Sequence, residues 1–562
     1  MPKRLWTVAL PSLLAAACSS SPATEPPLAP CTAASGGQVA LGIGAYTAVD
    51  PTQTAGCAVF PANPLGSGIE YLVVPQSASS IPDDSQAFKL GGNPLAAPPA
   101  PGASLAAGTG VAQQFDLRLR LSEREFARQV PVPLRAPPRI SAAVTPVDSG
   151  NVRTFKVCNV LTCDPSKPST LSTVTATALK VGAHIAIYVD NAAPQPGLSQ
   201  TDLDALRAVF DTRLYETDTL AFGRESDIDN NGMVIVLMSA KVNAMVTAPQ
   251  CSSTGFVAGY FFGADLITTP PFATGNSGEI FYSIVPDPMG TLSCVHTVGD
   301  VNQLVPVTFV HEFQHMISFN QHYLVRGNLP EDLWLNEGLS HYAEENGGRT
   351  FLRSAPPDTA TFCNYVFGDV YNAGQYFAAP QKYFLVDTAG IGGLANRGAY
   401  WLFVRYLVDQ VGATLGSADS VTRRLDMTAL TGAANASHAA GGTSFPTLLE
   451  RWALANYVSD LSGFSTPSEL QYVTWQFRTA FPRLRAACGS TKIPTLFPLD
   501  TAVHAFSGSA LAASGMLRAG SASYYRLQQA GGAPKFSLLF SNSAGAALRT
   551  TLTPRLTVIR LQ

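Results

Sequence analysis

The stretch Val310 to Asn346, VHEFQHMISFNQHYLVRGNLPEDLWLNEGLSHYAEEN, decides how the rest of the chain is read. It sets His311, Glu312 and His315 in the order H-E-x-x-H, with Val307, Val310, Met316 and Ile317 at helical spacing around them. Pro306 suits the first turn of such a helix. Histidines four residues apart project from one helix face, one turn above the other, so both imidazoles reach a single tetrahedral zinc. Glu312 lies about 100° round the helix and leans over a water on that metal.

Two histidines need a third ligand. Downstream, WLNEGLSHYAEE opens a second amphipathic helix after Pro330, with Leu333, Trp334, Leu339, Tyr342 and Ala343 as its apolar set and Gly347 and Gly348 as its stop. Glu337 is the natural candidate. The 21 residues between His315 and Glu337 leave room for one helix to end, a loop at Arg326 to Asn328 and an antiparallel return. His322 is the competitor, and geometry rejects it: seven residues beyond His315 on an unbroken helix it stands about 10 Å from that zinc. The pattern H-E-x-x-H-x-x-G-x-x-H needs glycine and histidine where this chain has Ser318 and Gln321.

H-E-F-Q-H-M followed by W-L-N-E-G-L-S-x-Y-A-E-E resembles the gluzincin metallopeptidases, in particular the bacterial hyicolysin-type neutral zinc metalloproteases. The resemblance is densest from Thr308 to Glu345 and thinner over 180 to 460. It implies His311, His315 and Glu337 as zinc ligands, Glu312 as general base, and an α+β catalytic domain of two lobes like that of thermolysin. Many gluzincins carry an aspartate four residues after the ligand glutamate to orient a zinc histidine; here that position is His341. Glu344, one turn further on the same face, is either its substitute or, with Glu345, a solvated face. His322 and His341 read most simply as exposed helix-end histidines. Tyr400 and His341 are the candidates for a hydrogen bond to the oxyanion.

Around this centre, length predicts three or four units of about 150 residues. The net charge of −3 gives no reason to expect nucleic acid or a polybasic membrane surface. Charged residues are 13%, about half the usual soluble fraction, which favours an exported, β-rich and loop-rich protein. Residues 1–18 read as a lipoprotein-type signal: Lys3 and Arg4, an apolar run from Leu5 to Ala17, then Cys18 as the lipidated residue before a disordered linker over 19–30. Ordinary cleavage near Ala15 to Ala17 is the alternative, so the chain is expected either on a lipid anchor in the bacterial envelope, at the outer membrane, or secreted. Setting Cys18 aside leaves eight of the nine cysteines, an even number suited to disulfides. Nearest-neighbour pairing, 31 with 57, 158 with 163, 251 with 294 and 363 with 488, is the simplest arrangement.

Residues 31–145 are expected to form a small β domain, with strands at Val39 to Ala45, Glu70 to Val74 and Phe115 to Leu121 and a linker from Ala96 to Gly110. The catalytic domain is placed at 170–485. In it, His184 to Val189 and Val234 to Met238 read as strands and Thr201 to Leu214 as a helix. Asp227, Asp229 and Asn231 form the opening half of a calcium loop or, since position 238 is methionine rather than the closing glutamate, an Asx-rich turn. Glu279 to Val285 is the most β-like run, either an edge along which a peptide substrate adds itself or a core strand. Ala399 to Gly412 and Phe445 to Val458 read as helices of a lower lobe, and 490–562 as a C-terminal β-sandwich.

The resemblance thus implies an exported, monomeric zinc endopeptidase acting on protein or peptide substrates. The G-x-M-E-N segment of gluzincin aminopeptidases, whose glutamate binds a free α-amine, does not occur in the chain. A non-catalytic envelope-binding lipoprotein on the same scaffold, and a zinc amidase acting on cell-wall peptide, are the alternatives.

Overall fold

The computed structural model describes residues 26–32, 35–92, 110–130, 147–388 and 393–562. The signal segment with Cys18, most of the 19–30 linker and nearly all of the Ala96 to Gly110 linker lie outside them. The architecture is α+β, with fifteen strands among the described residues. An N-terminal group comprises β1 (Tyr46–Val49), β2 (Cys57–Phe60), β3 (Ile69–Ser77) and β4 (Ser85–Gly92). A central group comprises β5 (Val152–Cys158), β6 (Leu171–Val181), β7 (Ile185–Asp190), β8 (Val234–Met238), β9 (Gly259–Phe261) and β10 (Ile280–Ser283). A C-terminal group comprises β11 (His504–Ser507), β12 (Ala512–Arg518), β13 (Tyr525–Gln529), β14 (Phe536–Asn542) and β15 (Pro554–Arg560). The five longest described helices are α1 (Val111–Gln129), α2 (Val298–Phe319), α3 (Leu333–Leu352), α4 (Thr359–Ala378) and α5 (Gly393–Leu415).

The two ends of the chain interleave. One sheet runs β1-β15-β3-β13-β11 and another β12-β4-β14-β2, so N- and C-terminal strands alternate, except for the neighbours β13 and β11, instead of forming separate β units. Phe60, Phe88, Leu527, Phe540 and Val558 fill the space between them. Two of the expected N-terminal strands are absent: Val39 to Ala45 holds no strand, and Phe115 to Leu121 lies in α1. The alternation in FDLRLRL is misleading because Arg120 is buried through ion pairs rather than left to solvent.

The central sheet runs β5-β6-β7-β8-β10-β9. The segment Val-Ile-Val-Leu-Met of β8 is wholly buried, as a parallel strand between two parallel neighbours requires. Strand β10 also lies inside the sheet, so the core-strand reading of Glu279 to Val285 holds, and the short antiparallel β9 is the edge. Helix α2 lies against this sheet through Phe309, whose ring meets Phe210 at 4.1 Å and Phe281 at 5.1 Å.

Helix α2 starts earlier than the proline suggests. Thr297 and Asp300 form a reciprocal capping box, so Pro306 sits inside the helix. Helix α3 runs past Gly347 and Gly348 to Leu352, because these glycines admit Tyr365 of α4: a Cβ at Gly348 would stand 2.7 Å from Tyr365 Cβ. The disulfides are Cys31–Cys57, Cys158–Cys163, Cys251–Cys294 and Cys363–Cys488, the nearest-neighbour pairing. No helix among the described residues is long and apolar enough to cross a membrane.

Candidate metal centre

Helices α2 and α3 bring His311, His315 and Glu337 together. His311 Nε2 and His315 Nε2 are 3.2 Å apart. Glu337 Oε2 lies 3.7 Å from the first and Glu337 Oε1 3.3 Å from the second. A tetrahedron with metal–ligand bonds of about 2.0–2.1 Å has edges of about 3.3–3.4 Å, which these separations bracket. The three could therefore hold one metal ion.

The far side of each ring fixes its orientation. His311 Nδ1 lies 2.7 Å from Glu344 Oε1, and His315 Nδ1 lies 3.1 Å from Asn336 Oδ1. Both Nδ1 protons therefore have acceptors, which leaves the Nε2 lone pairs facing one another beside a carboxylate. Burial lowers both histidines from the usual range, His315 strongly, so the rings are neutral as ligation requires. Neither buried oxygen of Glu337 accepts a regular hydrogen bond, although Arg397 Nη1 approaches Oε2 to 2.6 Å as an ion-pair partner. Two neutral Nε2 atoms and a carboxylate converging at tetrahedral separations are a donor set that a cation would satisfy, so the residues fit zinc.

Glu312 is 5% exposed, and its Oε2 accepts from the Phe261 amide of the edge strand at 2.9 Å. Burial pushes its carboxyl well above the usual carboxylate range, with Arg120 working against that shift.

Several neighbours differ from their sequence reading. Glu344 is buried and bonded to His311, not solvated. Glu345 is also buried, accepting from Trp475 Nε1 at 2.8 Å and Trp401 Nε1 at 3.1 Å. His341 is buried 2.9 Å from Asp369 Oδ1 and 3.2 Å from Glu344 Oε1; burial opposes its charge, but these carboxylates raise it to about 10. His322 is buried in a π-turn, Asn320–Val325, 3.8 Å from Glu331, and burial lowers it to about 3. Tyr400 lies near Glu337 but gives its hydroxyl proton to Asp387 at 2.6 Å.

At the second cluster, Asp227, Asp229 and Glu279 approach one another closely enough to share an ion. Asn231 does not join them: its amide donates to Asp229 and its carbonyl accepts from Met233 N–H, closing the turn. Asp229 already pairs with Arg153 at 3.2 Å. Glu279 comes from a distant segment, which is why a contiguous twelve-residue pattern misses it.

The sequence reading also omitted Asn336, Arg397, Asp116 and Arg120. Asn336 had a signal, since it and Ser340 are polar residues one turn apart beside Glu337, and Ser340 Oγ also touches His315 at 3.1 Å. The others belong to α1 and α5, and only the fold brings them here.

No protein-family model matches the chain. The neutral metalloprotease ShpI of Staphylococcus hyicus is 30% identical over 140 residues. Over that stretch the chain is related to a metalloprotease. The matched stretch is 24% of this chain and 28% of ShpI, so the chain spans under a third of that relative's length.

Proposed function

We propose that the chain is an exported zinc endopeptidase of the gluzincin kind, with His311, His315 and Glu337 as metal ligands and Glu312 as general base. The observation that carries this reading is the convergence of two Nε2 atoms and the buried Glu337 carboxylate beside a second buried carboxyl, that of Glu312. A zinc ion held there supplies Lewis-acid polarisation of a carbonyl and acidifies water.

The chain's own residues do the rest. Glu312 takes a proton from the attacking water and returns it to the leaving amine. Its burial favours the protonated form needed in the second step. Glu344 and Asn336 hold the two imidazoles in the tautomer that presents Nε2. His341 acts on His311 through Glu344, as a positioning residue rather than a donor to the oxyanion. On this reading the substrate cleft would lie between the central sheet, ending at β9, and helices α3 to α5. There β9 is the sheet edge at which a substrate main chain would pair independently of sequence, although Phe261 already gives its N–H to Glu312 and accepts from Arg120 at its C=O. Four disulfides and the relationship to a neutral metalloprotease support export. Calcium at Asp227, Asp229 and Glu279 belongs to the same proposal as a stabilising ion.

Elemental analysis of the purified chain and casein hydrolysis with and without 1,10-phenanthroline test this reading. The expected results are one zinc per chain, lost in Glu337→Ala, and cleavage abolished by the chelator. A zinc-free chain, or hydrolysis indifferent to chelation, would overturn it.

A further inference from the structure

Helix α1 lies in the place a substrate would need. Its two most buried charges, Arg120 and Glu123, are 3% and 2% exposed, and such residues are rarely buried unless paired. Their partners are the groups of the cleft. Arg120 Nη2 donates to the carbonyl of Phe261 at 2.6 Å and lies 4.0 Å from Glu312 Oε2. Glu123 Oε1 accepts from the Gly263 amide at 2.7 Å. Phe261 ends the edge strand β9 and Gly263 opens the short 3-10 turn that follows it, so the Phe261 carbonyl, which an added strand would bond, and the first amide of the turn are both taken up.

The remaining contacts cover the metal centre. Asp116 Oδ2 pairs with Arg397 Nη2 at 2.7 Å, and the other arm of the same guanidinium reaches Glu337. Asp116 and Leu117 line a cavity of about 20 Å³ together with Glu337 and Tyr400. Arg124 ties the helix to the rim through Asp332 at 2.8 Å and through the Pro330 carbonyl. Beyond the start of α1 the depression continues as a groove of about 680 Å³, between Ser253 to Phe256 on one side and Tyr371 and Leu394 on the other.

We propose that α1 is an internal plug: it takes up the edge-strand hydrogen bonds and cleft charges that an extended peptide requires, so this conformation is latent and substrate enters only when α1 leaves its seat. The inference rests on the endopeptidase reading of the cleft. Beside apolar packing of the ordinary kind, the helix sets charged side chains against Glu312 and the backbone at and just beyond the edge strand, and these contacts carry the inference. Its apolar contacts reach the edge strand, through Phe115 against Tyr260 at 5.1 Å, as well as the rim, through Phe126 against Phe272 at 5.0 Å, and Leu119 is fully buried.

The test compares the zinc-loaded full chain with Arg120→Ala/Glu123→Ala, with the milder rim variant Arg124→Ala, and with Arg118→Ala on the exposed face as control. Two quantities are read: affinity for a dipeptide hydroxamate by calorimetry, and kcat/KM on a quenched unstructured peptide. If the open state is under a tenth of the population, the double variant should gain about tenfold or more in both. Arg124→Ala should gain less in the same direction, and Arg118→Ala nothing. Should the double variant fail to fold, Arg124→Ala carries the comparison. Zinc-loaded chains that bind hydroxamate and turn over equally would overturn the plug alone. Absence of zinc from every chain would overturn the endopeptidase reading and the plug with it.

Discussion

His311 Nδ1 and Glu344 Oε1 are 2.7 Å apart in a buried site, and this contact ties the H-E-x-x-H helix to the end of the N-E-G-L-S helix. Glu344 stands where a gluzincin would use a residue three positions earlier. One helical turn separates His341 from Glu344, and the turn is bridged: His341 reaches the same Glu344 oxygen and Asp369 as well. The carboxylate that meets His311 thus comes from the turn after His341.

Replacing Glu344 by alanine should weaken zinc binding about 10- to 100-fold, the usual effect of losing a carboxylate that orients a ligand histidine. Competition against a chromogenic chelator measures it. An unchanged affinity would show that His311 is oriented by other means.

Glu312→Gln keeps the shape and the acceptor for the Phe261 amide but cannot take a proton. Turnover should fall by about 10²- to 10⁴-fold or more with zinc content unchanged, as expected for a general base that is not a ligand. Loss of metal together with activity would mean that Glu312 helps to hold the ion.

What the sequence disclosed and what it hid divide along range. The clustering of His311, His315 and Glu337, the buried strand β8 and the disulfide pairing were legible because each rests on local spacing or on the simplest pairing. The interleaved sandwich was not: β3 pairs with β13 and β15, strands from the other end of the chain, and short alternating runs carry no label for a partner so remote. Buried charge was the second blind spot. His341, Glu344, Glu345 and Arg120 look like surface residues until Asp369, Trp401, Trp475 and Phe261 are placed beside them. Helix α1 suffered from both, since its buried face mixes Arg120 and Glu123 with apolar residues and its partners are more than a hundred residues away.

Gly338, between Glu337 and Leu339, is where α3 approaches α5. A Cβ there would stand 2.7 Å from the Tyr400 carbonyl oxygen and 2.8 Å from Val404 Cγ2. Alanine would gain about 1 kcal/mol in helix propensity. Overpacking costs about 1–3 kcal/mol, and towards the upper end here because the obstacle is backbone. Gly338→Ala should therefore destabilise the chain by about 1–2 kcal/mol in urea unfolding, with zinc affinity reduced through the adjacent Glu337. A more stable variant would require a wider gap between the helices.

Glu331 gives a pH dependence of defined sign, away from the metal centre. It is buried, its Oε1 accepts from the Gly432 amide at 2.6 Å, and burial, then Asp332, pushes its carboxyl up to about 8 from 4.5. Between these two values the folded chain keeps a proton that the unfolded chain has lost, so this group's contribution to stability falls as pH rises. The slope is roughly 1 kcal/mol per pH unit, flat below 4.5 and above about 8. Glu331→Gln cannot ionise and should lack that slope. Its amide also faces the Gly432 and Asn435 donors, so at pH 5 the variant should be weaker by about 1–3 kcal/mol. Urea unfolding of both chains at pH 5, 6.5 and 8 reads the difference between them, in which Asp426 and Glu279, also raised by burial, cancel because both chains carry them. The gap should narrow as pH rises; a gap constant across the series would mean that Glu331 is already ionised in the folded chain at pH 5.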